Sequence, residues 1–414
     1  MSEKIVSKTI SHKVLIKTKY NNFLLNNVDQ SLAIDKIMDF CRKYYIFCVE
    51  NLDDYEQGQF KKDRIIRTSF IRFLCFSTAI RFFISSLSSE RWVIIFMSDA
   101  NYLLGNRSLI SMVISMGSLI VVSIGAVIQY QELSQTLKLM DFLNGYKKRS
   151  IISLNALNTR RLALSVNLMT KFFVRQAFWP LVLLSFGLIS SSTVIAYFDQ
   201  RSGFVALSLF VWNLFLFAFF TQLYALVSIG FVIWTLSSLY LKYKFNEVSD
   251  RIAFALRAQN KNELMSAISE HNSVSKQTED LNEFFSKIIF VLYYFASPTL
   301  MILLYITGAE DTHTVLRFVA VFVFLIVFLV VFGMNLFSSL ISGSSRKPRK
   351  LFFDYLFRNN FNPMEGLKVM AFIEKLSGPD IGFYCWNLFP MNNYRFYKYV
   401  VSCAITYFLI LDLI

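Results

Sequence analysis

The chain has 414 residues, 55% of them apolar and 17% aromatic, with 42 Lys and Arg against 28 Asp and Glu. A positive mean hydropathy on this aromatic background excludes an ordinary string of soluble domains and identifies a polytopic membrane protein. The net charge of +14 lies in short clusters between apolar runs, which fits cytoplasmic retention, and no phosphate-binding or base-stacking module argues for nucleic acid.

Residues 1–67 form an expected cytoplasmic amino-terminal region. They open on the charged stretch MSEKIVSKTISHK and contain no apolar core of signal-peptide type. The first expected span, Thr68–Leu87, carries Arg72 and Arg81, which must snorkel or face the bundle because a central arginine costs about 2.5–3.5 kcal/mol. Five clearer spans follow at Leu109–Tyr130, Ala177–Phe198, Phe204–Leu241, Ile288–Thr307 and Phe318–Ile341. Each is apolar all round and near the roughly 20 residues that a helix needs to cross a ~30 Å hydrocarbon core. Phe204–Leu241 is longer, yet only Gly230 interrupts it, so it reads as one span that continues as a helix into the cytosol. The seventh is Phe396–Ile414, which ends the chain on AITYFLILDLI.

The expected fold is therefore all-α, with six transmembrane helices within 68–341 and a seventh at 396–414. Lys and Arg concentrate in the connections 131–176 and 242–287 and in SSRKPRK at the start of 342–395, whereas DQRSG and GAEDTHT are short or acidic. The charge bias places the amino terminus in the cytosol and the carboxyl terminus outside. Within 242–287, apolar residues and both charges recur at helical spacing, the pattern of an amphipathic helix pair. Asn106, in the sequon Asn106-Arg107-Ser108, is a glycosylation candidate in the first outside loop. Cys41, Cys48, Cys75, Cys385 and Cys403 all avoid the outside segments, so no extracellular disulfide framework is expected.

Chemistry-bearing motifs are lacking. His12, His271 and His313 are far apart, and there is no zinc spacing, nucleotide-binding loop or nucleophile elbow. The chain is expected to be no enzyme and to hold no metal or cofactor. A small-solute transporter is a second reading, since Pro180 and Pro298 interrupt two spans, but no repeat relates those spans. A seven-span G-protein-coupled receptor is another alternative, opposed by the amino terminus inside and by the absence of an Asp-Arg-Tyr signal after span three.

The inverted topology and the ending resemble the arthropod gustatory receptor family of seven-span chemoreceptors. That family closes on Thr-Tyr, five apolar residues, then Gln-Phe. Here Thr406 and Tyr407 match, as does the run Phe408, Leu409, Ile410 and Leu411; Asp412, Leu413 and Ile414 depart from the pattern. Gly382, Phe383 and Leu388-Phe389-Pro390 resemble the family's approach to its last span.

The resemblance implies a tastant-gated non-selective cation channel in the plasma membrane of chemosensory neurons. It implies a homo- or heterotetramer whose seventh helices line a shared pore, with cytoplasmic helices at the subunit contact. Small-molecule tastants, permeant cations and membrane lipid would be its partners. Thr406, Tyr407, Ile410, Asp412, Leu413 and Ile414 become pore or gate candidates, with Asp412 supplying a ring of carboxylates at the mouth. Aromatic residues in the outer halves of the spans, Tyr197, Trp212, Tyr305 and Phe318, are ligand-pocket candidates.

Overall fold

A computed structural model describes residues 30–88, 90, 107–148, 154–179, 182–183, 203–308, 314–356, 363–386 and 388–413. The helices are α1 (Gln30–Lys43), α2 (Leu52–Glu56), α3 (Lys62–Leu87), α4 (Arg107–Leu133), α5 (Lys138–Lys147), α6 (Ala156–Thr170), α7 (Gly203–Arg257), α8 (Lys261–Gly308), α9 (Thr314–Ser345), α10 (Pro348–Leu356) and α11 (Pro363–Ser377). A two-residue hairpin, β1 (Tyr384–Cys385) with β2 (Phe389–Pro390), then leads into α12 (Asn393–Leu413). Apart from this hairpin, the regular structure of the described residues is helical. Among the described residues five helices, α3, α4, α7, α8 and α9, are long and apolar enough to cross a membrane. The third expected span, Ala177–Phe198, lies almost wholly outside the described residues, as do Asn106 and Tyr197.

Both arginines of the first span face the bundle. Arg72 hydrogen-bonds Gln129, and Gly125 leaves room for its side chain, since a Cβ there would stand 2.7 Å from Nε. Arg81 is only 2% exposed, with its guanidinium 5.0 Å from the Trp212 ring and Nη1 donating to the Trp212 carbonyl at 3.3 Å. An arginine held this way hides its charge from lipid behind an aromatic face and a carbonyl.

The amphipathic helix pair over 242–287 is continuous with the spans: its first member extends the fourth, in line with the expected run into the cytosol, and its second extends the fifth. Helix α7 runs unbroken for 55 residues and α8 for 48, about 80 and 70 Å at 1.5 Å per residue. Each is more than twice the depth of a bilayer core, so a long stem projects beyond it. The stems meet at a turn where Gln259 adopts φ 53°, and the Asn260 side chain caps α8 by accepting from Glu263 N–H at 3.1 Å. Ion pairs bind them: Lys244 to Glu270, and Arg251 to both Glu263 and Glu270.

The amino-terminal region packs on the same body. Glu132, at the end of α4, accepts the backbone N–H groups of Cys48 and Val49, each at 2.7 Å. Arg64 donates to the carbonyls of Phe47 and Arg42. These bonds satisfy the irregular backbone between α1 and α2, which a buried loop requires. Beyond α6, Lys171–Ala177 forms a π-helical turn, with Phe178 N–H reaching Phe173 O, just ahead of Pro180. A proline deprives the preceding turn of a donor, and a wider turn is one way a helix adapts. All five cysteines are free.

Candidate functional site: the terminal helix and its supports

Helix α12 begins where the hairpin ends, and the hairpin is held from within. Phe383 is fully buried, its ring 4.8 Å from Trp234 and 5.1 Å from Phe285. Trp234 is itself fixed by an Nε1–H bond of 3.2 Å to the Met334 carbonyl. Buried indole needs such a partner, and this one ties α7 to α9 behind the hairpin.

Polar contacts complete the clamp. Tyr384 N–H donates to Asn282 Oδ1 at 2.7 Å and Trp386 N–H to the Ser286 carbonyl at 3.2 Å, both on α8. Asp380 pairs with Arg346 at 2.6 Å and accepts from Asn392 Nδ2 at 3.1 Å. Asn392 also caps α12, its Oδ1 accepting from Arg395 N–H at 2.9 Å.

Once started, α12 packs on one side only. The half-buried positions are Phe396, Tyr399, Val400, Cys403 and Tyr407, the i, i+3, i+4, i+7, i+11 stripe of a single helical face. Phe396 lies between Phe328 (5.9 Å) and Phe332 (5.4 Å) of α9. Tyr399 meets the Tyr293 ring at 5.0 Å, and its hydroxyl is hydrogen-bonded to that of Ser297 at 3.2 Å. Asn335 of α9 donates to the Tyr293 hydroxyl and to the Val331 carbonyl at 2.8 Å. A polar seam, Asn335–Tyr293–Tyr399–Ser297, therefore joins α9, α8 and α12 inside the apolar bundle. Near the far end, the Tyr407 hydroxyl rests on Gly308, where a Cβ would stand only 2.9 Å away.

The opposite face is open. Val401, Ile405, Phe408 and Leu409 are exposed, as is Thr406, whose hydroxyl turns back to the Ser402 carbonyl at 2.9 Å. Thr406 and Tyr407 thus diverge, one onto the open face and one onto α8. The helical backbone continues through Ile410, Asp412 and Leu413, whose side chains lie outside the described residues together with all of Ile414.

The expected ligand-pocket residues separate. Trp212 is half-buried against Arg81 and 5.3 Å from Phe215, whereas Phe318 is 73% exposed and points away from the bundle. Tyr305 is half-buried on α8. The seam was not foreseen. Its one signal in sequence is Asn335, a lone amide in the run FLIVFLVVFGMNLF, and an amide inside a span must find partners.

No protein-family model matches the chain, and no curated protein matches its sequence. Solved structures do match. The insect olfactory receptor OR5 from Machilis hrabei in complex with eugenol superposes with a TM-score of 0.71 at 12% identity, covering 93% of this chain and 100% of that one. A second solved structure of that receptor gives 0.69 at 11% identity over the same shares. The insect-type chemoreceptor fold expected from the carboxyl-terminal residues is the fold that these structures share with this chain.

Proposed function

We propose that this chain is one subunit of a ligand-gated, non-selective cation channel of the insect chemoreceptor type, with gustatory ligands, and that α12 lines its pore. The observation that carries this reading is the one-sided packing of α12. A terminal helix with a single supported stripe and an open apolar face needs something to cover that face, and copies around a shared axis supply it. The likeness to a receptor solved with eugenol supports small-molecule gating.

In this reading four subunits, identical or related, place their α12 helices around the axis, in a plasma membrane with the amino terminus inside. Thr406 and the apolar residues beside it face the conduit. Ile410, Leu413 and Ile414 form its apolar constriction, and Asp412 contributes a carboxylate ring that favours cations. Tyr407, braced on Gly308, reports movements of α8 to the gate. Trp212, beside buried Arg81, is the best supported of the ligand-pocket candidates; Tyr197 and Tyr305 remain with it, and Phe318 takes a lipid-facing role.

The test is electrical. Cells expressing the chain, alone or with related subunits, are expected to pass tastant-evoked cation current with G-protein signalling blocked. A carboxyl-terminal tag should be detectable without permeabilisation. Current that vanishes with the G-protein block, or a tag seen only after permeabilisation, overturns the proposal.

A further inference from the structure

A cavity of about 630 Å³ opens sideways on the bundle, lined by Leu168, Lys171, Phe173, Gln176, Phe231 and Phe337 among others. Its walls are aromatic: Phe173 lies 4.9 Å from Phe231, and Phe231 lies 6.0 Å from Phe337. Phe231 leans onto α9 because position 333 is glycine; a Cβ there would come within 2.7 Å of the ring. Among the described lining residues the polar ones, Lys171 and Gln176, belong to the π-helical turn. Lys171, Leu168 and Phe172 are exposed.

Depth identifies what such a cavity meets. In the topology proposed above, α7 and α9 run from the outside inward. A fourth span starting at Phe204 crosses a ~30 Å core in about 20 residues, so Phe231 stands at its inner end, and Phe337 is four residues, about 6 Å, above Ile341. Lys171 lies six residues, about 9 Å, on the cytoplasmic side of Ala177, where the third span begins. The contacts of Phe231 with Phe173 and Phe337 hold the three rings at one level, so the cavity sits at the inner boundary of the bilayer, where the headgroups of the cytoplasmic leaflet meet their acyl chains. It lies about 28 Å along α7 from Trp212, so it is not the outer ligand pocket.

We infer that this cavity is a binding site for an anionic phospholipid of the cytoplasmic leaflet. One acyl chain lies between Phe173, Phe231 and Phe337, and the headgroup meets Lys171 and Gln176. Apolar walls open to the side suit a ligand that arrives through the bilayer. A cation at headgroup depth suits the leaflet that carries the anionic lipid.

The test uses the full chain, purified and placed in phosphatidylcholine nanodiscs containing a trace of phosphatidylserine with a photoactivatable acyl chain. Labelled peptides should include residues 168–176 together with those around Phe231 or Phe337. Unlabelled phosphatidylserine should compete better than phosphatidylcholine by about fivefold, the factor that one cation near an anionic surface supplies. Lys171→Glu should abolish that preference at an unchanged gel-filtration profile. If that variant misfolds, the wild-type competition between the two lipids decides alone. No label in the cavity, or equal competition by both lipids, overturns the inference. So does a covalent subunit dimer formed by a benzophenone placed at Leu168, because a second copy would then occupy the opening. No current is measured, so failure here is distinct from failure of the channel reading.

Discussion

Phe383→Ala tests whether the hairpin fixes the base of the terminal helix. The side chain is fully buried between Trp234 and Phe285, with no room for solvent. Truncation of such a phenylalanine typically costs about 3–5 kcal/mol, the sum of lost transfer energy and an unfilled cavity. Phe383→Leu, which keeps most of the volume, should cost less than about 1.5 kcal/mol. Phe408→Ala is the control, since that ring is 63% exposed in the single chain and should change subunit stability by no more than about 0.5 kcal/mol. Thermal melting in detergent ranks the three. Hydrogen exchange in Phe383→Ala should then show protection lost over 384–400 while α4 keeps its own, because the hairpin's bonds to Asn282 and Ser286 depend on the anchored ring. Wild-type melting for Phe383→Ala, or protection lost evenly across all helices, refutes the reasoning.

Tyr293→Phe and Asn335→Ala should each lower the melting temperature slightly, and a double-mutant cycle should give a coupling of about 0.6 kcal/mol, the usual size for hydrogen bonds within a bilayer; additivity would remove the seam. Gly308→Ala should reduce evoked current by forcing Tyr407 aside, and Tyr407→Phe should restore it by removing the hydroxyl that the new methyl meets; no rescue in a patch-clamp comparison refutes the contact. Asp412→Asn should lower the cation-to-anion permeability ratio or the unitary conductance, read from reversal potentials and single-channel records, and an unchanged pore in both removes the carboxylate ring. His271, outside the spans on the α8 stem, is buried with Nε2 3.0 Å from the Ser345 carbonyl, and burial pulls its pKa down to about 4. A pKa lowered from about 6.5 means that protons bind the unfolded chain more tightly, so stability is full above pH 6.5 and falls by about 3 kcal/mol as the pH drops to 4. His271→Gln keeps a donor for Ser345 and should flatten that part of the melting-versus-pH curve.

Much of the fold is legible because lipid imposes a simple requirement. A run that must satisfy its own backbone in hydrocarbon shows as continuous apolarity, and α4, α7, α8 and α9 declare themselves that way. Arg72 and Arg81 left the first span ambiguous, since composition does not say whether an arginine snorkels or turns inward. Their inward fate depends on Gln129, Gly125 and Trp212, which belong to other helices. The stems of α7 and α8 showed as amphipathic sequence, and the unbroken run past Leu241 announced the continuity of α7 with its span; that of α8 did not show, because a helix changes solvent at the membrane surface without changing its backbone. At the terminal helix, Thr406 and Tyr407 were visible only as a pair. Adjacent residues point about 100° apart on a helix, so the pair divides between the open face and the supported one. The cavity beside Lys171 had no signal at all, since its walls come from three separate segments.

The supports of α12 nevertheless follow one rule that is visible in α8. Asn282 and Ser286 hold the hairpin, Phe290 carries the Trp386 ring at 4.9 Å, Tyr293 and Ser297 hold Tyr399, and Gly308 receives Tyr407. The pairs 282 and 293, 286 and 297, and 297 and 308 are each eleven residues apart, three turns of a helix at 3.67 residues per turn. A single face of α8 therefore carries the terminal helix from its base to Tyr407. The small residues on that face, Ser286, Ser297 and Gly308, let backbone or hydroxyl approach, and the aromatic ones fill the space between. Because the contacts lie on one continuous helix, a rotation of α8 should displace them in the same sense. Its open face has no comparable restraint among the described residues, so the position of that face is set by α8, together with the α9 rings that hold Phe396.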